Sequence, residues 1–444
     1  MTLMVGISGV RGLVGETLTP EVVLQFAHAY GTLLDGGRVV LGRDTRPSGQ
    51  TLAYVAAAGL MAAGCEVTDL GVAMTPTIGR TIIEGKYAGG VIITASHNPA
   101  PWNGMKFLDE RGLAPDPRRA ARIEAIRQSR EFRTCCDDFS ALRTDTEAGE
   151  RHVDAVTALL EVDADRLQGM RVVLDSVNGA GCADTPALLS ALGCEVVHLN
   201  GEPTGRFAHT PEPTAENLTS LCEQVRECKA QVGFAQDPDA DRLAIVDEHG
   251  VYIGEEYTLT LAADSVLSRR PGPLAANLST SRLIDTIAQR YGCAVIRTPV
   301  GEANVARGVL KNKCVLGGEG NGGVIDPRIS LVRDSLSGIS LVMQRMAATG
   351  KSVSELVADL PRFAMIKRKS ECERDRIDAA TEAVAQAFTG ERVNRSDGTR
   401  VDFADGWVHV RASNTEPIIR WIAEAEDQTA AEALLERVRA AARL

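Results

Sequence analysis

The sequence predicts three related α/β domains followed by a smaller α+β domain, and three observations carry that prediction. One pattern occurs three times: VVLGRDTRPSG, a helical stretch and GCEVTDLG; RVVLDSVNGAG, a helical stretch and GCEVVHLN; LAANLSTSRLID, helical through Tyr291, and GCAVIRTP. Each copy is followed by a further helix, a buried strand and an unusual loop: GGVIIT then TASHNP, QVGFA then QDPDADR, KCVLG then GEGNGG. The texture then changes near Phe363, where the repeats stop.

Each copy reads as a short buried strand, a Gly/Ser/Asn turn, an amphipathic helix and a second strand after Gly. That is a β-α-β unit, whose strands run parallel with a right-handed crossover. The Gly-Cys shared at Gly64, Gly193 and Gly292 favours true repetition over the generic likeness of such units. All three loops fall at the carboxyl end of a strand, where open α/β sheets bind ligands. After Phe363 come a helix from Asp375 to Phe388, short strands with a turn at Asp397-Gly398 and the alternating segment WVHVR. The loop ASNTEP, the strand IIRWIAEA and a last helix from Thr429 complete an α+β unit. The expected domains are 1–149, 150–251, 252–362 and 363–444, one more than 444 residues suggest at roughly 150 per domain.

Composition narrows the function. Hydrophobic residues at 44% and charged residues at 24% allow packed cores and argue against disorder. Aromatics at 4% do not make base-stacking platforms, and a net charge of −11 disfavours a polyanion surface. No nucleic-acid partner is therefore expected. The ten Cys contain no CxxC pair, which argues against zinc and a disulfide framework and for a reducing compartment. The start, MTLMVGISGV, lacks the basic region of a signal peptide, and the most apolar run, Leu52 to Gly64, is too short to span a membrane. The expected location is cytoplasmic, with no membrane partner.

The loops carry the chemistry. TASHNP presents Ser96 beside His97 and Asn98 after an apolar strand; a Ser there is otherwise a turn residue or a cap. Asp237, Asp239 and Asp241 stand at i, i+2 and i+4, which in an extended chain points all three carboxylates to one side. Three like charges call for a cation, and hard oxygen ligands suit Mg²⁺; the bland alternative is a solvated acidic turn. GGEGNGG offers Glu319 and Asn321 on bare backbone. RASNTEP gathers a guanidinium, two hydroxyls, an amide and free N–H groups, the donor set for a phosphate dianion. GISGVRG adds Arg11 in a Gly-rich loop. ATGKS around Lys351 is a decoy: it lacks the first Gly of a P-loop and joins two helices, with Gly350 ending one and Ser352 capping the next.

TASHNP, DPDADR, GEGNGG and RASNTEP, one per domain and in this order, resemble the four signature loops of the α-D-phosphohexomutase superfamily, and GISGVRG also matches. The resemblance spans essentially the whole chain. It implies mixed sheets in the three α/β domains and one central cleft among all four. Carried over by motif, Ser96 would be a phosphoserine whose phosphate joins Asp237, Asp239 and Asp241 around Mg²⁺. Arg11 and Arg242 would neutralise the phosphoryl group, and Lys106 and His97 would be the acid/base candidates. Glu319 and Asn321 would grip sugar hydroxyls, while Arg411, Ser413, Asn414 and Thr415 would hold the phosphate not being transferred. The implied reaction runs through a sugar 1,6-bisphosphate, with a hexose or hexosamine phosphate as partner and a monomer or homodimer as the assembly. The residue types suit it, because phosphoryl transfer needs positioning and charge neutralisation above all.

GEGNGG with an SNTEP loop resembles a branch usually assigned as phosphoglucosamine mutase, although SNT also occurs in phosphomannomutase/phosphoglucomutases. Many bacterial members carry Ser where Asn321 stands and His where Gly323 stands. A Mg²⁺-dependent kinase or phosphatase competes: the first lacks a nucleotide motif, and the second needs water in a cleft that four domains would close. A non-catalytic sugar-phosphate sensor is the third reading.

Overall fold

The repeats fold into three sheets of one topology in the computed structural model, which describes residues 3–137, 139–161, 164–413 and 418–442. In the first, Val39–Arg43 lies between Val67–Val72 and Gly89–Ile93 and is parallel to both, and Trp102–Asp109 pairs antiparallel with Gly89–Ile93. In the second, Arg171–Asp175 lies between Glu195–Leu199 and Val232–Gln236, with Leu243–Val246 closing antiparallel. In the third, Leu274–Asn277 lies between Val295–Thr298 and Leu316–Glu319, with Gly323–Ile325 closing antiparallel. The sheets are therefore mixed. The closing strands of the second and third sheets escape the sequence pattern because runs of four and three residues carry too little periodicity. Every one of the three unusual loops is the reversal between the last parallel strand and its antiparallel neighbour.

The first sheet has seven strands, because a hairpin, Met4–Gly6 and Gly9–Leu13, adds to Trp102–Asp109, and Arg143–Thr144 adds to the opposite edge. This corrects the reading of GISGVRG as a loop: Arg11 sits on a strand paired across from Gly104. The glycines permit it, since a Cβ on Gly9 would stand 1.9 Å from the Met105 carbonyl oxygen. The largest apolar core runs from the second sheet into the third and includes the helices Glu255–Leu267 and Ser335–Thr349. Gly350 ends the latter in a left-handed conformation, and Ser352 starts Val353–Ala358 with a capping box, as the dismissal of the P-loop required.

The last unit is a five-stranded antiparallel sheet ordered Ala364–Glu371, Ile418–Ala425, Gly406–Ala412, Thr399–Asp402, Arg392–Asn394, packed against Arg374–Ala387 and Gln428–Ala442. WVHVR alternates in sequence but is buried throughout. Its polar side faces the third sheet's loops: His409 Nδ1 lies 2.9 Å from Ser279 Oγ, and the Asp397 carboxylate accepts from the Val300 N–H at 2.9 Å. Among the described residues no helix is long and apolar enough to cross a membrane.

Candidate active site

Ser96 is buried at the carboxyl end of Gly89–Ile93 and is held at φ +51°, a conformation non-glycine residues seldom adopt. The structure holding it there centres on Arg46, which the sequence reading missed. All five guanidinium N–H donors are used: Nε on Asp44 Oδ2 at 3.0 Å, Nη1 on the carbonyls of Pro99 and Trp102 at 2.8 and 3.1 Å, and Nη2 on those of Ser96 and Asn98, both at 2.6 Å. Asp44 also accepts from the Thr94 hydroxyl at 2.6 Å, and Thr94 Oγ1 accepts from the Ser96 N–H at 2.9 Å. Strain at Ser96 persists because its surroundings over-determine it. A signal was available, since RDTRPSG follows the carboxyl end of Val39–Arg43, another ligand-binding position.

Ser96 Oγ donates to Asp237 Oδ2 at 3.0 Å, across from the first sheet to the second. Asp237, Asp239 and Asp241 are fully buried. They do not converge by strand alternation as expected. The strand Val232–Gln236 stops before them, and a tight turn through Ala240 at φ +54° brings one oxygen of each within 4.8 Å of the others. This is the one group with metal-ligand geometry among the described residues. Asp239 Oδ2 accepts from Lys106 Nζ at 2.6 Å and from Thr75 Oγ1 at 2.7 Å, and Asp241 Oδ2 accepts from Arg333 Nη2 at 2.6 Å. Their other oxygens, Asp239 Oδ1 and Asp241 Oδ1, are buried without a hydrogen-bond partner. Burial and the charges of Asp241 and Asp239 push the Asp237 carboxyl well above the usual range. Buried unpaired carboxylate oxygens at this spacing fit a hard divalent cation.

Around the triad stand the other expected groups. Burial opposes the charge on Lys106, but Asp239 and Asp241 hold its pKa above the ordinary Lys value. Burial, with the charges of Arg242 and Arg11, pushes His97 down to about 2, so it is uncharged at neutral pH. His97 Nδ1 is 3.4 Å from Ser96 Oγ. Arg242 lies 3.6 Å from Glu212 and 3.9 Å from Asp241, and Arg11 donates to Asn98 Oδ1 at 3.3 Å.

Arg333, also missed, joins the triad to the third loop. It donates to Asp241, to Glu319 Oε2 at 2.8 Å and to Glu302 Oε2 at 3.0 Å. Glu319 Oε1 accepts from Asn277 Nδ2 at 2.8 Å and from the Gly301 N–H at 3.1 Å. Asn321 is half-buried and its Oδ1 lacks a hydrogen-bond partner. Arg411 is buried in the last sheet and Ser413 is buried just beyond its strand; Arg411 Nε donates to Asp397 Oδ2 at 2.9 Å. Because Asp397 and Glu319 accept the consecutive N–H groups of Val300 and Gly301, one polar network runs from Ser96 to Arg411. Asn414 and Thr415 lie outside the described residues.

Four family models match in succession: phosphoglucomutase/phosphomannomutase alpha/beta/alpha domain I over residues 2–134, domain II over 150–250, domain III over 254–363 and the C-terminal domain over 366–441. The chain belongs to the phosphoglucomutase/phosphomannomutase family. It is a phosphohexomutase of the α-D-phosphohexomutase superfamily, an isomerase. A phosphoglucomutase/phosphomannomutase of Thermococcus kodakarensis is 41% identical over 98% of this chain and 97% of its own. A probable phosphoglucosamine mutase of Methanopyrus kandleri is 38% identical over 97% of this chain and 95% of its own. The crystal structure of a phosphoglucomutase/phosphomannomutase family protein from Burkholderia thailandensis superposes with a TM-score of 0.87 at 27% identity, over 99% of this chain and 97% of that one.

Two predictions follow from this phosphohexomutase site. Arg46→Lys keeps the charge but loses the fork, and each carbonyl left without a donor costs about 1–3 kcal/mol. Calorimetry should register a lower melting temperature and turnover should fall at least tenfold, whereas wild-type values would show that the serine loop holds itself. The second concerns Glu256, whose carboxyl packs on the GEGNGG loop so closely that a Cβ on Gly320 would stand 2.0 Å from Oε2. Burial pushes its pKa from 4.5 to about 8, against the opposing charge of Lys367. The folded state thus holds an extra proton between those values, so the stabilisation is present below the lower one and lost as pH rises through the upper one. The melting temperature of the wild type relative to Glu256→Gln should fall between about pH 5 and 9; a constant difference would contradict the raised pKa.

Proposed function

We propose that the chain is a Mg²⁺-dependent mutase that interconverts glucosamine 6-phosphate and glucosamine 1-phosphate through a phosphate carried on Ser96 and a bisphosphorylated sugar. The observation that carries this reading is the Ser96 hydroxyl donating to one of three buried aspartates, two of which keep an unpaired oxygen. Asp237, Asp239 and Asp241, with an oxygen of the Ser96 phosphate, would hold the metal. When bound, Mg²⁺ supplies the positive charge that offsets the phosphoserine and polarises phosphorus for attack by a sugar hydroxyl.

The chain's own groups do the rest. Arg11 and Arg242 flank His97 and Ser96 and offset charge on the phosphoryl oxygens. His97, kept uncharged, can take the proton of the attacking hydroxyl, while Lys106, kept charged, can return one. Glu319 and Asn321 accept and donate hydrogen bonds to ring hydroxyls. Arg411, Ser413, Asn414 and Thr415 hold the phosphate that stays on the sugar, and turnover within the cleft exchanges the two phosphate positions. Burial of Ser96 and the three aspartates favours a mutase over a phosphatase, which needs water at the phosphate.

The GEGNGG and SNTEP loops and the name of the Methanopyrus kandleri relative support the amino sugar. The name of the Thermococcus kodakarensis relative favours a second reading, phosphomannomutase/phosphoglucomutase. Assays with glucosamine, glucose, mannose and N-acetylglucosamine phosphates, each with a bisphosphate activator, separate them. Glucosamine phosphate should have the highest kcat/KM, and a preference for mannose or glucose phosphate would establish the second reading.

Ser96→Ala should carry no phosphate in peptide mapping and lose essentially all turnover. Asp→Asn at 237, 239 or 241 should lower turnover by about 10²–10³, the scale of one lost electrostatic contact to a transition state. Full activity of the Ser96→Ala protein, or of the wild type in excess chelator, would refute the mechanism. Arg411→Ala should raise KM about tenfold or more for both the 1-phosphate and the 6-phosphate, since one clamp must serve both orientations and a charged hydrogen bond is worth about 1.5–3 kcal/mol. An effect on one substrate alone would contradict the shared clamp.

A further inference from the structure

The loop of three aspartates is gripped from two sides. From the first sheet's side, Thr75 donates its hydroxyl to Asp239 Oδ2 at 2.7 Å and its N–H to the Asp239 carbonyl at 3.0 Å. From the third, Arg333 holds Asp241 Oδ2, and Ser335 donates its hydroxyl to the Ala240 carbonyl at 2.6 Å. Gln236 in turn donates to Ser335 Oγ at 2.6 Å. Ala240 is the left-handed residue on which the turn depends, so the direction of its carbonyl sets the spacing of the carboxylates on either side.

These grips are tied together by one side chain to which the proposed chemistry assigns no role. His152, on the helix Ala148–Thr157, has no exposed surface. Its Nδ1 lies 2.9 Å from the Thr77 hydroxyl and its Nε2 lies 3.2 Å from Asp334 Oδ2. Thr77 sits two residues beyond Thr75 on the helix Thr75–Glu84, and Asp334 sits between Arg333 and Ser335. Asp334 also caps Ser335–Thr349, accepting from the N–H groups of Leu336 and Ser337 at 3.0 and 3.2 Å and from the Ser337 hydroxyl. An Nε2–H donated to Asp334 leaves Nδ1 to accept from Thr77, so both ring nitrogens are satisfied and the ring cannot rotate without losing both.

We propose that His152 is a positioning residue for the metal site: it locks the Thr75–Thr77 turn to the Arg333–Ser335 segment and so fixes the spacing of Asp239 and Asp241. Both partners belong to short segments that touch the aspartate loop: Thr77 lies two residues beyond Thr75, and Asp334 lies between Arg333 and Ser335. Removing the ring leaves Asp334 short of a donor and Thr77 short of an acceptor, and the two grips can then move independently. The inference rests on the reading of Asp237, Asp239 and Asp241 as a Mg²⁺ site.

The test is calorimetric titration of Mg²⁺ into the full chain for wild type, His152→Ala, Thr77→Val and Val153→Ala. Loss of a group that orients ligands weakens metal binding by about 10–100-fold, and that is the shift expected for His152→Ala. Thr77→Val keeps the ring but cuts one tie, and should shift affinity in the same direction; it decides the matter if His152→Ala does not fold. Val153, the next residue on the helix, is buried in the shared core, so Val153→Ala should lower the melting temperature and leave Mg²⁺ affinity unchanged. In turnover, the Mg²⁺ concentration for half-maximal rate should rise for His152→Ala while kcat at saturating Mg²⁺ stays near wild type. Wild-type affinity in His152→Ala or, where that does not fold, in Thr77→Val, or equal weakening in Val153→Ala, overturns the positioning role and leaves the metal reading standing. A wild-type protein that binds no Mg²⁺ overturns both.

Discussion

Buried negative charge is the constraint on which the rest of this structure depends. Asp237, Asp239, Asp241, Glu302 and Glu319 form one connected group; among the described residues Lys106 and Arg333 meet it most closely with positive charge, and Arg242 stands 3.9 Å from Asp241. Taking carboxylates out of water costs several kcal/mol each unless they are paired and hydrogen-bonded. Arg333 meets part of that demand by bridging three carboxylates that belong to separate segments, so it holds the second and third sheets in register at their loop ends. Lys106 does the same between the first sheet and the second. The charge that remains uncompensated is the strongest physical argument for a cation.

The repeated topology explains why these groups meet. Each of three sheets reverses direction at the same point, between its last parallel strand and the antiparallel strand that closes it, and each reversal carries one chemical loop. Serine, aspartates and the Glu-Asn pair therefore occupy equivalent places in three copies of one unit. The last sheet reaches the same region by another route: its Asp397 and the third unit's Glu319 accept neighbouring backbone N–H groups at Val300 and Gly301. The bend before the helix Glu302–Asn312 thus links Glu319 of the third loop to Asp397, which holds Arg411.

Local signals in the sequence were enough for the repeats, the parallel pairing, the four loops and the fourth unit. Buried strands, Gly-ended helices and clusters of Ser, Asp and Gly are written in neighbouring residues, and the ordered loops pointed to the family before any contact was known. Ser96 and the three aspartates were legible because each stands in an unusual run. The turn that gathers the aspartates was misread as an extended chain, because a left-handed Ala240 leaves no mark in composition.

Only the tertiary structure decided which residues serve those loops. Arg46, Arg333, Glu302 and His152 meet partners as far as 56, 92, 31 and 182 positions away, and an Arg or His in a helix-rich sequence carries no sign of the carbonyl or carboxylate it will meet. The polar face of WVHVR was ambiguous for the same reason, since alternation does not distinguish water from a neighbouring domain. By itself the sequence determined the units and the loops, through short-range periodicity and turn chemistry. The folded chain decided how their charges are balanced, because compensation in a buried site depends on distance in space and not along the chain.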